Sequence, residues 1–282
     1  MRSTRISAAS AAGTSPAATA SCAQPAPNAP LPEKCGIRLV QWNIHIGIDM
    51  TSRRNLKAQA DVLNRLDADV IVLNEVDKNC RRTGYTDMTK QLALLTGNMF
   101  SLFGAARILP PEGLYGNAAL SRFPTELVGS WLLPAALDET RGMTLAKIAA
   151  GVPFYLAFTH LSFRDTPEEN AIRVAAARRL DELISENCVE DLPVILAGDF
   201  NCVPASNPLK VLEDAGWALG KPLPTFPSAK PVRAIDHIFL RNGRTKLRDR
   251  FTVDEKIASD HVPVVNELVI FRNASQKQED RA

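Results

Sequence analysis

Short apolar runs in this chain stop, one after another, on acidic, amide or imidazole side chains. Val40-Gln41-Trp42-Asn43 is one such ending and Val72-Leu73-Asn74-Glu75 another. Phe158-Thr159-His160 and Leu196-Ala197-Gly198-Asp199-Phe200-Asn201 repeat the pattern, and Ile235-Asp236-His237-Ile238 and Ser259-Asp260-His261 add two more places of the same kind. Apolar runs this short read as strands buried on both faces. Strand ends are where α/β folds gather ligands, because the loops there aim side chains into a shared cleft. The chain has four histidines, His45, His160, His237 and His261, and each lies within two residues of one of these polar positions.

The runs alternate with helical signals. Strands are expected over Ile37–Trp42, Asp69–Leu73, Asn117–Ser121, Ser130–Leu133, Met143–Ala149, Val152–Thr159, Pro193–Ala197, Ala234–Leu240 and Val262–Ile270. Leu56, Ala60, Leu63 and Leu66 fall at helical spacing, which predicts an amphipathic helix over Arg53–Leu66. A second helix is expected over Thr86–Thr96, stopped by Gly97. Thr166 as a cap and Pro167 at the first helical position start a third, running to about Asn187. The economical reading is one α/β domain over residues 36–270, a polar tail over 271–282 and no internal repeat at the residue level.

Residues 1–35 differ from the rest. Positions 7–30 hold no Leu, Ile, Val or Phe, so this stretch cannot bury enough apolar area to offset its ordering entropy. It reads as a disordered extension or a targeting segment. Arg2 and Arg5 resemble a signal n-region, but an apolar h-region is missing, and the absence of acids before Glu33 also suits an organelle transit peptide. A cytoplasmic location is expected, with export or organelle targeting by this segment as the alternative. No apolar run approaches the roughly 18–20 residues that cross a bilayer, and a net charge of +2 demands no polyanionic partner. The five cysteines have no Cys-x-x-Cys pair, which removes zinc-finger spacing and leaves buried thiols, with a Cys22–Cys35 disulfide as an alternative.

The ordered set Trp42-Asn43-Ile44-His45, Leu73-Asn74-Glu75-Val76, Tyr115-Gly116-Asn117-Ala118 with Leu120-Ser121-Arg122-Phe123-Pro124, Thr159-His160-Leu161, Gly198-Asp199-Phe200-Asn201, Ile235-Asp236-His237 and Ser259-Asp260-His261-Val262-Pro263 resembles the endonuclease/exonuclease/phosphatase superfamily. The resemblance implies a four-layer αββα sandwich, two mainly antiparallel sheets face to face with helices outside. It implies a magnesium-dependent phosphoester hydrolase of the phosphodiesterase or nuclease type. A lipid or inositol phosphate hydrolase is the alternative, and a non-catalytic binding module a third reading.

Phosphoester hydrolysis needs a placed, activated water and charge stabilisation at the phosphoryl oxygens. Magnesium takes hard oxygen ligands and keeps several waters, so one or two carboxylates suffice. Glu75 is the first candidate ligand, with Asn43 and Asp260 beside it, and manganese is an alternative ion. Asp199 is the candidate for activating water and Asn201 for donating to a phosphoryl oxygen. His160 and His261 are expected to donate to phosphate, a role suited to a positive imidazole. Asp236 would orient one of them, and the sequence leaves open which. His237, adjacent to Asp236, faces the other way in a strand and reads as packing. Arg141, Asn117 and His45 are candidate substrate contacts. Each has a plainer role open: a salt bridge with Glu139, a satisfied turn, a structural histidine. The expected partner is a phosphoester, either nucleic acid or a phospholipid or inositol phosphate, bound by a monomer. His160 stands where the abasic-site branch of this superfamily carries Tyr, which lowers DNA repair without choosing among the rest.

Overall fold

A computed structural model describes residues 31–97, 99–136 and 139–272. The expectations for residues 1–30 and for most of the tail therefore lie outside the described residues. Twelve strands and four α-helices make up the regular structure there. The first half holds β1 (Lys34–Asn43), α1 (Leu56–Leu66), β2 (Val70–Lys78), α2 (Met88–Leu95), β3 (Phe100–Leu109), β4 (Gly113–Ser121) and β5 (Thr125–Leu133). Then come β6 (Arg141–Ile148), β7 (Phe154–His160), α3 (Pro167–Asn187), β8 (Val194–Asp199), α4 (Asn207–Asp214), β9 (Ala218–Leu219), β10 (Asp236–Arg241), β11 (Thr245–Thr252) and β12 (Val264–Phe271).

These strands form two six-stranded sheets, ordered β11-β12-β1-β2-β4-β3 and β5-β6-β7-β8-β10-β9. Each sheet has one parallel pair, β1 with β2 and β7 with β8, and its other pairs are antiparallel. A parallel pair needs a crossover, which α1 and α3 supply. The two sheets thus share one plan: a hairpin, a central strand, a helix, its parallel neighbour, then antiparallel edge strands. This duplication is one of topology and leaves no repeat in the residues.

Period-two alternation sorts the side chains into layers. Ile37, Leu39, Val70 and Val72 point between the sheets and meet Ile148, Phe154, Leu156, Phe158, Ile195 and Ile238 of the second sheet. The alternate residues Val40, Trp42, Ile71 and Leu73 point outward and pack under α1 and α2, against Ala60, Leu63, Met88 and Leu92. Leu145, Tyr155, Ala157 and Leu196 do the same for the second sheet, beneath Ala176, Leu180 and Leu183 of α3 and Leu209 and Leu212 of α4. The result is the four-layer αββα sandwich.

Local chemistry sets the element ends. Helix α1 starts at Leu56 rather than Arg53, because the Asn55 side chain accepts from Ala58 N and caps it there. Helix α3 starts at Pro167, with Thr166 accepting from Glu169 N. Strand β1 begins at Lys34, so residues 34 and 35 belong to the domain, and Cys35 is buried between the sheets. Strands β3, β9 and β11 and helix α4 were not expected from the sequence.

Candidate active site

Register brings the polar strand ends level with one another. His160 pairs with Asp199 across β7 and β8, and Asp199 pairs with Asp236 across β8 and β10. In the facing sheet Asn43 pairs with Asn74 across β1 and β2. Gly198 is required here: a Cβ on it would lie 2.0 Å from Thr159 O, and its φ is +155°. The pairing shifts register between Leu73 and Val76, and Glu75 takes a left-handed φ of 58° that turns its carboxylate out of the ladder. Asn201 and His45 are also left-handed, with φ of 50° and 47°. Such strain gathers at sites where surrounding contacts hold it.

The ends open on a cleft of about 440 Å³. Its walls include Asn43, His45, Glu75, Arg141, His160, Asp199, Asn201, Asp260 and His261. Asp236 lies just behind them, with Oδ2 2.8 Å from His261 Nδ1. That contact resolves which histidine Asp236 holds. Asn117 does not line the cleft: it is buried, and its Oδ1 accepts from Asn74 Nδ2 at 2.9 Å. His237 is wholly buried against Phe200 and donates through Nε2 to Cys202 O at 2.8 Å.

Asp199 is the hub. Its Oδ1 accepts from Asn201 N at 2.9 Å and its Oδ2 from Asn43 Nδ2 at 3.0 Å. The Nε2 atoms of His160 and His261 lie 3.6 and 3.7 Å from the same Oδ2. Burial, followed by the negative charge of Asp236, pushes the Asp199 pKa up to about 7. His261 moves the opposite way to the usual buried histidine. Burial would lower its pKa, but the charge and hydrogen bond of Asp236 overcome this and raise it to about 10. Asp236 correspondingly stays ionised, burial being outweighed by the charge and hydrogen bond of His261.

His160 differs from the positive imidazole expected of it. Burial, then the neighbouring Arg141 charge, holds its pKa well below the ordinary value, so it is neutral. Arg141 Nη1 donates to His160 Nδ1 at 3.1 Å, leaving the proton on Nε2, which faces Asp199 Oδ2; the neighbouring Asn201 Nδ2 donates to Leu161 O at 3.1 Å. Arg141 is itself nearly enclosed and paired with Glu139 at 2.7 Å.

Magnesium fits the oxygen donors at the cleft. Glu75 and Asp260 both line it, and neither has an ion-pair partner among the described residues. Two carboxylates lining one cleft without a cationic partner suit a divalent ion. Asn43 presents its amide nitrogen to Glu75 Oε1 at 3.2 Å, while its oxygen accepts from His45 N at 3.0 Å. In this rotamer it positions Glu75 and Asp199. A second acidic group, Asp199, Asp236 and His261, has its ligand atoms within 4.8 Å of one another. It is the poorer metal cage, because the charged His261 has a proton on each nitrogen and no free lone pair.

Sequence reasoning missed the support beneath these groups. Gln41 Nε2 donates to Asp236 Oδ1 at 2.7 Å and to Asn74 Oδ1 at 3.1 Å. Asn74 Oδ1 also accepts from Asp199 N at 3.0 Å. Both amides lie in the strand endings Val40–Asn43 and Val72–Glu75, where nothing in the sequence sets them apart from ordinary strand residues. Tyr115, which opens the Tyr115-Gly116-Asn117-Ala118 motif, also lines the cleft, as do Arg82, Arg107, Phe163, Phe226 and Arg233, which no motif marks.

Among proteins of known sequence, the chain is similar to the uncharacterized protein YbhP of Escherichia coli K12. The two are 28% identical over 254 residues, spanning 84% of this chain and 97% of that protein. Among solved structures, a mannosyl-6-phosphatase of Bacteroides thetaiotaomicron superposes with a TM-score of 0.65 at 16% identity, over 82% of this chain and 99% of that one. D. rerio TDP2 complexed with a single-strand DNA product gives 0.62 at 18% identity, over 83% and 98%. At these identities the two structures share the fold, and their names point to different substrates. The sequence pattern of the endonuclease/exonuclease/phosphatase family matches residues 40–261, from the strand bearing Asn43 to the Ser-Asp-His turn, and the chain belongs to that family.

Proposed function

We propose that this protein is a magnesium-dependent phosphoester hydrolase in which Asp199 activates the attacking water. The observation that carries this reading is the setting of Asp199: a buried carboxylate with a pKa of about 7 on the cleft wall, beside the charged His261. A general base works best when its pKa lies near the working pH. Water gives its proton to Asp199 Oδ2 as its oxygen bonds to phosphorus, and the bond from phosphorus to the leaving oxygen breaks. His261, protonated on both nitrogens, keeps Nδ1 on Asp236 and offers Nε2–H to a phosphoryl oxygen. Neutral His160, fixed by Arg141, offers its own Nε2–H, and Asn201 adds its side-chain amide. Glu75 and Asp260, with Asn43 orienting Glu75, would hold magnesium, which supplies positive charge to the phosphoryl oxygens when bound.

The test is hydrolysis of bis-p-nitrophenyl phosphate and p-nitrophenyl phosphate by the purified protein, with magnesium and with chelator. Activity is expected only with the metal, falling about 100-fold or more in Glu75→Ala and in Asp199→Ala. Full activity in either variant would overturn the reading.

A further inference from the structure

Not every cation of the cleft has a carboxylate partner. Arg82 is held by Asp77 through two hydrogen bonds of 2.8 Å, and Arg141 by Glu139. Asp236 is matched by the charged His261. Glu75 and Asp260 match a divalent ion. Two cations are left over: Arg107 and Arg233 line the cleft, and neither guanidinium has a carboxylate partner among the described residues.

Both are presented by fixed backbone. The register of β3 with β4 shifts between Ala105 and Arg107, which places Arg107 opposite Tyr115 at the cleft. Arg233 is bridged to Phe226: Arg233 N donates to Phe226 O at 2.9 Å, and Thr225 N donates to Arg233 O at 2.8 Å. The Phe226 ring packs on His261, with centroids 4.9 Å apart. Arg233 is therefore tied by backbone bonds to the residue that packs on the charged imidazole, and it lines the same cleft. A guanidinium fork suits a phosphate, and one held by rigid backbone loses little entropy on binding it. A cleft of about 440 Å³ is the size of a small-molecule site.

We infer that the substrate is a small phosphoester carrying a second phosphate, and that Arg233 and Arg107 bind that second group beside the one being hydrolysed. This rests on the reading of the cleft as a phosphoester hydrolase site and narrows its substrate class. The second phosphate takes no part in bond making; it adds binding and fixes which ester faces Asp199.

The test compares glucose 6-phosphate with glucose 1,6-bisphosphate and a single-stranded oligonucleotide. Affinity is measured by calorimetry on the full chain with chelator present, so that binding is read without turnover. The bisphosphate is expected to bind about tenfold or more tightly than the monophosphate. Arg233→Ala and Arg107→Ala should each remove most of that ratio, and Arg233→Lys should keep part of it. Where turnover is measurable with magnesium, the loss should fall on KM rather than kcat. An unchanged ratio in both alanine variants, or no preference in the wild type, overturns the inference. Tighter binding of the oligonucleotide than of the bisphosphate overturns the small-molecule class. Loss of magnesium-dependent turnover in all substrates, with the binding ratio intact, would instead count against the hydrolase reading.

Discussion

Gln41 on β1 reaches Asp236 on β10 across the sheet interface, donating Nε2 to Oδ1 at 2.7 Å. The contact is wholly buried and joins positions 195 residues apart in the chain. It ties the carboxylate that charges His261 to the amide, Asn74, that also holds the Asp199 backbone. The two sheets thus set their catalytic candidates through one amide network.

Replacing Gln41 by Leu leaves Asp236 one donor short and Asn74 one partner short. An unpaired buried acceptor costs about 1–3 kcal/mol. Gln41→Leu is expected to lower the melting temperature accordingly and to cut kcat/KM about tenfold, as His261 loses some of its hold. Gln41→Glu sets a carboxylate against Asp236 and should cost more. Thermal melts and steady-state kinetics check both, and a variant with wild-type values in each would show the network to be idle.

Activity should rise with pH as Asp199 loses its proton. Its pKa of about 7 places the acid limb of the kcat/KM profile there, and a cation bound at Glu75 moves the limb lower. The alkaline limb follows His261, whose pKa of about 10 keeps it charged across the neutral range. Profiles at two magnesium concentrations measure this, with the acid limb lower at the higher one. A flat profile between about pH 5 and about pH 9 is the result that contradicts it.

His237 governs stability rather than chemistry. Burial lowers its pKa to about 4, whereas the unfolded chain takes up the proton near about 6.5. The unfolded state therefore binds the extra proton first, and stability present above about pH 6.5 is lost as the pH falls through the folded value. The difference is worth about 3 kcal/mol at its limit. His237→Phe is expected to retain most activity, to be less stable at neutral pH through loss of the bond to Cys202 O, and to lose less stability on acidification than the wild type. Melts at neutral and acid pH decide this, and an undiminished acid dependence in the variant would assign it to other groups.

Much of the architecture was legible because burial on both faces leaves continuous apolar runs, as in β2, β7 and β8. Helix α3 was readable to its end residues, since Thr166 and Pro167 mark its start by local hydrogen bonding and fixed φ. Strand β11 was not. Its run Lys246-Leu247-Arg248-Asp249-Arg250 lies at a sheet edge with most side chains exposed, and carries no apolar signal. Helix α4 opens on Ser206-Asn207-Pro208, a run that reads as a turn in sequence.

The sequence by itself determined the cast of the cleft. Asn43, Glu75, His160, Asp199, Asp260 and His261 stand where strands stop or in the turns beside them, and polar side chains at such places have few structural reasons to be there. It also carried the family, through the order of its short motifs. Only the tertiary structure decided the partnerships: Asp236 with His261, Arg141 with His160, Gln41 beneath Asp236, and Asn117 below the cleft rather than in it. It alone brought Arg107 and Arg233 to the same space. The reason is physical. A strand end is local information, but protonation, pairing and reach depend on what faces a side chain from another sheet, and that is fixed only when the two sheets pack.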